Sequence, residues 1–334
     1  MLAAMSTRAW LAFAAMSVIW GVPYLLIKIA VEGGAPPALI SWGRVALAAA
    51  VLLALAARRR SLRALRGRLG WVAAFGLVEI AIPFPLIAFG EERIASSLAA
   101  ILIATLPLMI TLLALRLDPA ERPTAARMLG LAIGFAGVVA LLGLDVSGHP
   151  RELLGVAAVL LAALGYAVGP LIVKHRLTDL DARATMGASL AFAALLLTPL
   201  AALTSPGRVP SGGALAAIAT LGLVCTALAF VLYALLIAEA GPSRASVITY
   251  INPVVAVALG VSLLGDRPGA GAVAGLLLIL AGSWLSTDGR LPPGVASRLL
   301  RTTAARRRRS HDHAALSSPP LAASSSASPS HERR

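Results

Sequence analysis

Charged side chains are scarce in this sequence: Asp, Glu, Lys and Arg together make up 13% of 334 residues. A water-soluble domain carries roughly 25%, so too few charges are present to face water over a folded surface, and lipid must cover the rest. Cysteine is nearly absent. Cys225 stands alone, which excludes an internal disulfide and any paired-cysteine metal site, and it reads as a small apolar core residue. Histidine is also sparse, and His149 and His175, the two outside the C-terminal tail, fall on opposite faces of the predicted membrane. No H-E-x-x-H helix and no Walker A loop occurs. Neither a metal, a cofactor nor ATP-driven pumping by this chain has a residue set to support it.

Apolar residues fill the space that the missing charges leave: 58% of the chain is hydrophobic, and its mean hydropathy is +0.86. A helix crosses the hydrocarbon core with about 20 mainly apolar residues. Ten stretches approach that length, at about 10–30, 37–57, 70–90, 94–115, 126–144, 153–173, 185–203, 214–238, 245–264 and 269–286. They lack the two-residue alternation of a membrane β-barrel, and backbone groups in lipid must be satisfied within the segment. The pattern predicts an all-α polytopic membrane protein with ten transmembrane helices. The first is expected to be retained, because its apolar run exceeds that of a secretory signal.

The net charge of +14 could suggest a nucleic-acid partner, but its placement argues for a bilayer. Arg8, the segments 58–68, 116–127 and 174–183, Arg244 and the tail 288–334 hold 23 of the 29 Lys and Arg; the alternate loops hold only Arg93, Arg151, Arg208 and Arg267. That bias is the positive-inside rule and predicts an inner-membrane protein with both termini cytoplasmic. Residues 288–334 combine Arg306–Arg309 with a Ser/Ala/Pro-rich run and predict a disordered basic cytoplasmic tail.

Displaced by 145 or 146 positions, the sequence falls on itself. Trp20 meets Tyr166, Lys28 meets Lys174, Gly76 meets Gly222, Phe84 meets Phe230 and Pro107 meets Pro253. After a one-residue offset, Glu121-Arg122-Pro123 meets Asp266-Arg267-Pro268, Gly130 meets Gly275 and Gly137 meets Gly282. The predicted units are 1–147 and 148–287. Each holds five spans, an odd number, so the second copy must enter the membrane upside down relative to the first. Inverted repeats of this kind recur in secondary transporters, with the solute site between them.

The same residues resemble the drug/metabolite transporter superfamily, in its ten-helix EamA-type branch. The likeness rests on Trp20-Gly21 with Lys28, Pro37 leading to Arg44, Pro107, Glu121-Arg122 with Gly130 and Gly137, Pro253, Gly265-Asp266-Arg267 and Gly282, and covers about residues 10–287. The family usually places Gly-Glu after spans four and nine, where this chain has Asp118-Pro119-Ala120-Glu121 and Asp266. The resemblance implies a secondary transporter, often an exporter of amino acids or related metabolites, with a central cavity between the halves.

Glu79 is the most informative single residue. It lies near the middle of span three, where an ionised carboxylate costs about 2.5–3.5 kcal/mol on insertion scales. Pro83, four residues on, removes the donor that would meet the Glu79 carbonyl. An acid beside a weakened helix suits a cation, a substrate amine or a proton; a structural acid bonded to a neighbouring helix is the competing reading. Pro107 and Pro253 each sit mid-span and can act as hinges, as can Pro83. Tyr250 and Asn252 flank Pro253 and could line a cavity or bridge helices. Trp20 and Tyr166 match under the repeat and are candidate cavity walls, against the alternative of an interfacial belt. Lys28 and Lys174 lie at span ends, where snorkelling accounts for both. Arg44 is deeper and could pair with Glu79, guard the outer mouth or snorkel. Gly130 with Gly134, and Gly271 with Gly275, form GxxxG pairs for close helix packing.

These features predict a secondary transporter of a small metabolite, amino-acid-like or related, working by alternating access and more readily as an exporter. Its partners would be the solute, the bilayer and a coupling proton or cation, and a homodimer is compatible with them. A membrane-embedded enzyme on a lipid-like substrate and a non-transporting scaffold are the alternatives.

Overall fold

A computed structural model describes residues 6–117, 124–141, 150–204, 206–240 and 248–286, which form helices and no strand. The tail 288–334 and the turn around Arg122 lie outside the described residues. Seven helices are long and apolar enough to cross a membrane, and three apolar helices are shorter. In chain order these are α1 (Thr7–Glu32), α2 (Pro37–Arg58), α3 (Leu69–Glu91), α4 (Ser96–Ile103 continuing as Leu106–Leu117), α5 (Ala125–Leu141), α6 (Pro150–Leu177), α7 (Ala182–Leu203), α8 (Gly212–Gly222, Leu223–Leu228 and Ala229–Ala240), α9 (Ile248–Leu264) and α10 (Ala270–Ser286). The 17-residue α5, at 1.5 Å per residue, reaches about 25 Å, the short end of what spans a bilayer. Large side chains such as Phe135, Leu195 and Leu277 point outward. In water they would form an aggregating surface. Here they face lipid.

The helices pack as the duplication demands. The two helices of equivalent rank meet in the pairs α2–α7, α4–α9 and α5–α10, while α1 packs on α8 and α3 on α6. Exchanging the halves turns the α1–α8 pair into the α6–α3 pair and leaves the others unchanged. The contact pattern is that of two inverted five-helix repeats.

Glycine permits the closest of these crossings. In α5, Gly130 and Gly137 lie against the backbone of α10, and Gly282 of α10 lies against the backbone of Gly130 and Gly134; a Cβ at any of the three would overlap it. Small residues at helix spacing let the two backbones touch where lipid offers no hydrophobic drive for association. Along α6, Gly155, Gly165 and Gly169 present the same bare surface to α3.

Several helices are interrupted where the sequence is weakest. The first α-helical segment of α1 ends at Ile19 and the second starts at Pro23, with the Gly21 N–H bonded to the Val18 carbonyl three residues back. Gly21 is required there, because a Cβ would meet Val255 of α9. α3 contains a π turn at Leu77–Ala81, and α8 one at Leu223–Leu228. The second begins where the repeat shift places the first. Proline in α3 was expected to release the Glu79 carbonyl, and the wider turn changes that. In a five-residue register the carbonyl facing Pro83 is that of Val78, and it lies against Gly165, where a Cβ would come within 2.5 Å of it. The bare α6 surface makes room for that oxygen.

At the end of the bundle where α1 and α3 finish, Lys28 does not snorkel. Its Nζ donates to the carbonyl of Glu91 at 2.8 Å and to that of Ile94 at 3.4 Å, closing the C-terminus of α3. Asp266, after α9, accepts from the Ser97 N–H at 2.9 Å and so caps α4 from the other half of the chain. Lys174, the repeat partner of Lys28, is exposed.

Candidate functional site

The two π turns both contribute to the lining of a cavity of about 210 Å³, bordered by α1, α2, α3 and α4 of the first half and α6, α8 and α9 of the second. A π turn widens the helix by one residue and is frequent at functional sites, because it re-aims the side chains on it. Glu79 stands on the first turn, and Cys225 occupies the matching place on the second; both line the cavity. The expected walls Trp20, Tyr166 and Asn252 line it too, as does the expected hinge Pro253. Tyr250 does not, because its hydroxyl donates to the Ser283 carbonyl of α10 at 3.4 Å. Pro83 and Pro107 lie beside the cavity rather than on its surface, next to the lining residues Phe84 and Leu106.

Glu79 packs its carboxylate against Gly169 of α6, in the space a Cβ would fill. Its Oε2 is buried and meets no hydrogen-bond partner among the described residues. An unsatisfied acid oxygen costs the full desolvation of that atom. This oxygen is turned to the α6 backbone, and the carboxylate on the cavity wall is left short of a donor.

Arg44, from α2, is the cation of the same cavity, and the sequence left its role open. No ion pair with Glu79 forms: the ion pairs among the described residues are Arg8–Glu239, Arg68–Asp179 and Arg93–Glu92. Arg44 Nε instead donates to Thr226 Oγ1 at 2.8 Å, and the guanidinium lies 4.0 Å from the centroid of Phe84. Thr226, on the second π turn, donates its own hydroxyl to the Leu221 carbonyl. Phe84 is braced edge-on by Tyr166, with ring centroids 6.4 Å apart.

Trp20 sits at the α1 break, 4.9 Å from Tyr233 and 6.1 Å from Phe230 by ring centroids. Asn252 supports that break. With its amide nitrogen turned to the two carbonyls, it donates to Ser17 at 3.1 Å and Ile248 at 2.9 Å. The Ser17 carbonyl needs this donor, since the Gly21 N–H that would ordinarily meet it bonds to Val18 instead. Asn252 therefore bridges α9 to α1 while bordering the cavity.

Sequence reasoning passed over Tyr24, Thr226 and Glu91. Tyr24 lines the cavity one turn beyond Trp20, at the α-helical spacing that could have singled it out. Glu91 falls just past the predicted end of span three, yet it is wholly buried, with neither oxygen bonded among the described residues. No metal-binding group of three or more His, Cys, Asp or Glu exists among the described residues.

Two stretches, residues 7–143 and 153–287, each match the EamA-like transporter family. The chain is 32% identical over 258 residues to "Uncharacterized inner membrane transporter YedA" of Escherichia coli K12, covering 75% of this chain and 81% of that one. It is 29% identical over 277 residues to the "Probable terminal-alkyne amino-acid exporter" of Streptantibioticus cattleyicolor, covering 78% and 90%. A crystal structure with 23% sequence identity superimposes with a TM-score of 0.60 over 85% of this chain and 98% of its own. That likeness is one of fold.

Proposed function

The chain belongs to the EamA-like transporter family, and from that premise we propose that it is a secondary exporter of a small amino-acid-like metabolite, binding it in the cavity between its inverted halves. The observation that carries this reading is the Glu79 carboxylate, with an oxygen buried and unpartnered, on a residue that lines a cavity to which both halves contribute. A scaffold gains nothing from an unsatisfied acid at that depth, whereas a transporter uses it to hold a substrate amine or a coupling proton. The cavity is smaller than the roughly 300–1,000 Å³ of drug-sized sites, which favours a small solute. Trp20, Tyr166 and Asn252 form its walls, and Pro83, Pro107 and Pro253 are the hinges by which the helices around it bend. Amino-acid export is named for one relative, from Streptantibioticus cattleyicolor.

The charge bias of the loops supports both termini in the cytoplasm, and the outward direction rests on the family likeness. Units 1–147 and 148–287 are then the two rocking bodies, driven by a proton or cation gradient, and the chain is not an enzyme. The test is flux of labelled small amino acids through the purified chain in sealed vesicles. Wild type should carry solute in response to an imposed pH gradient. Glu79→Gln should lose most of that flux or its dependence on pH, while eluting as the same folded species. Product formation without flux would favour the enzyme alternative, and neither would favour a scaffold.

A further inference from the structure

Resting on that transport reading, we propose that Arg44 binds the anionic end of the solute, so that the cavity takes a zwitterion: a carboxylate on Arg44, an amine on Glu79 and a small apolar side chain between the aromatic walls.

The guanidinium is held in place but not satisfied. Thr226 takes only its Nε, and Phe84 takes one face. The hydroxyl hydrogen of Thr226 is committed to Leu221, so the threonine meets Arg44 with a lone pair and fixes the plane of the guanidinium. The terminal nitrogens meet no acceptor among the described residues. A guanidinium carries five N–H donors in a fork that matches a carboxylate with two parallel bonds. A fork oriented in advance and left open is a carboxylate site lacking its ligand.

The acid on α3 has the complementary deficiency, and the two do not pair with each other. Leaving both groups unmatched inside a low-dielectric cavity is costly, because neither regains from a partner what it loses with its water. A solute with a single charge relieves one group and leaves the other exposed to the same penalty. A solute with both charges relieves both. Much of the remaining wall, including Ile80, Ile87, Ile103 and Phe230, is apolar, and the volume restricts the side chain to a few carbons.

Binding of tritiated L-leucine to the full chain in nanodiscs, competed by two analogues that each lack one charge, tests this. The analogues are 3-methylbutylamine, without the carboxylate, and 4-methylpentanoate, without the amine. Wild type should prefer leucine to either by about tenfold or more, a difference of about 1.4 kcal/mol. Arg44→Gln should erase the preference over the amine and keep that over the acid. Glu79→Gln should do the reverse, and Arg44→Lys should restore part of what Arg44→Gln loses, since lysine supplies the charge without the fork. Each variant is checked for a monodisperse, folded species. An Arg44→Gln protein that still prefers leucine to the amine overturns the proposal, as does a wild type that fails to bind leucine. Binding is read without transport, so leucine bound with this pattern but not carried across vesicles would sink the transport reading alone.

Discussion

At the scale of single residues, the site depends on atoms that are missing. Gly169 gives the Glu79 carboxylate its place, so Gly169→Ala should displace that group and reproduce the transport defect of Glu79→Gln without altering the acid itself. Vesicle flux checks it, and unimpaired flux in Gly169→Ala would show that the carboxylate works from elsewhere. Lys28 makes a second testable contact. Losing the bonds of its ammonium to two carbonyls in Lys28→Met should lower stability by about 1.5–3 kcal/mol, the range for hydrogen bonds to a charged group, seen as a reduced thermal midpoint in detergent. The sequence showed Glu79 because a carboxylate in mid-span is conspicuous against apolar neighbours. It hid Glu91, whose burial comes from helices packed around a span end. It also left Arg44 open, since what orients the guanidinium is Thr226, a residue 182 positions away.

At the scale of helices, hydropathy located the ten spans and the duplication set their order, whereas the π turns were invisible. Leu77–Ala81 contains an acid and precedes Pro83; Leu223–Leu228 has Cys225 and Thr226 instead, and Ala229 in the position of the proline. The same irregular turn thus forms with and without proline, so packing against the opposite repeat holds it. Pro83→Ala should accordingly keep the turn and keep leucine affinity within about threefold, a shift below the tenfold step of 1.4 kcal/mol. A tenfold loss would return the cause of the turn to the proline. The α5–α10 crossing was legible as glycine spacing. What spacing could not say is which helices those glycines join. Gly282→Val forces a side chain into the backbone of α5 and should destabilise the fold by about 1–3 kcal/mol, the usual cost of overpacking, measured as a lower midpoint of thermal unfolding.

At the scale of the whole molecule, the inverted repeat makes a claim about sidedness. The segments near Arg122 and Arg267 correspond under the repeat and are expected on opposite faces of the bilayer. Single cysteines placed there in a Cys225→Ser background should react with a membrane-impermeant maleimide from opposite sides of intact cells. Reaction of both from one side would remove the basis for alternating access. Cross-half contacts, such as Asp266 on the Ser97 N–H, become intelligible at this scale alone, because each joins segments far apart in sequence.

Arg44 and Glu79 project from neighbouring helices of one repeat, while Thr226 reaches in from the other. If the halves rock as proposed, a passenger gripped at both ends would ride in the frame of the first repeat, with the second repeat sliding past it. Its exit is then governed by how long a threonine keeps hold of an arginine on the far side of the gap.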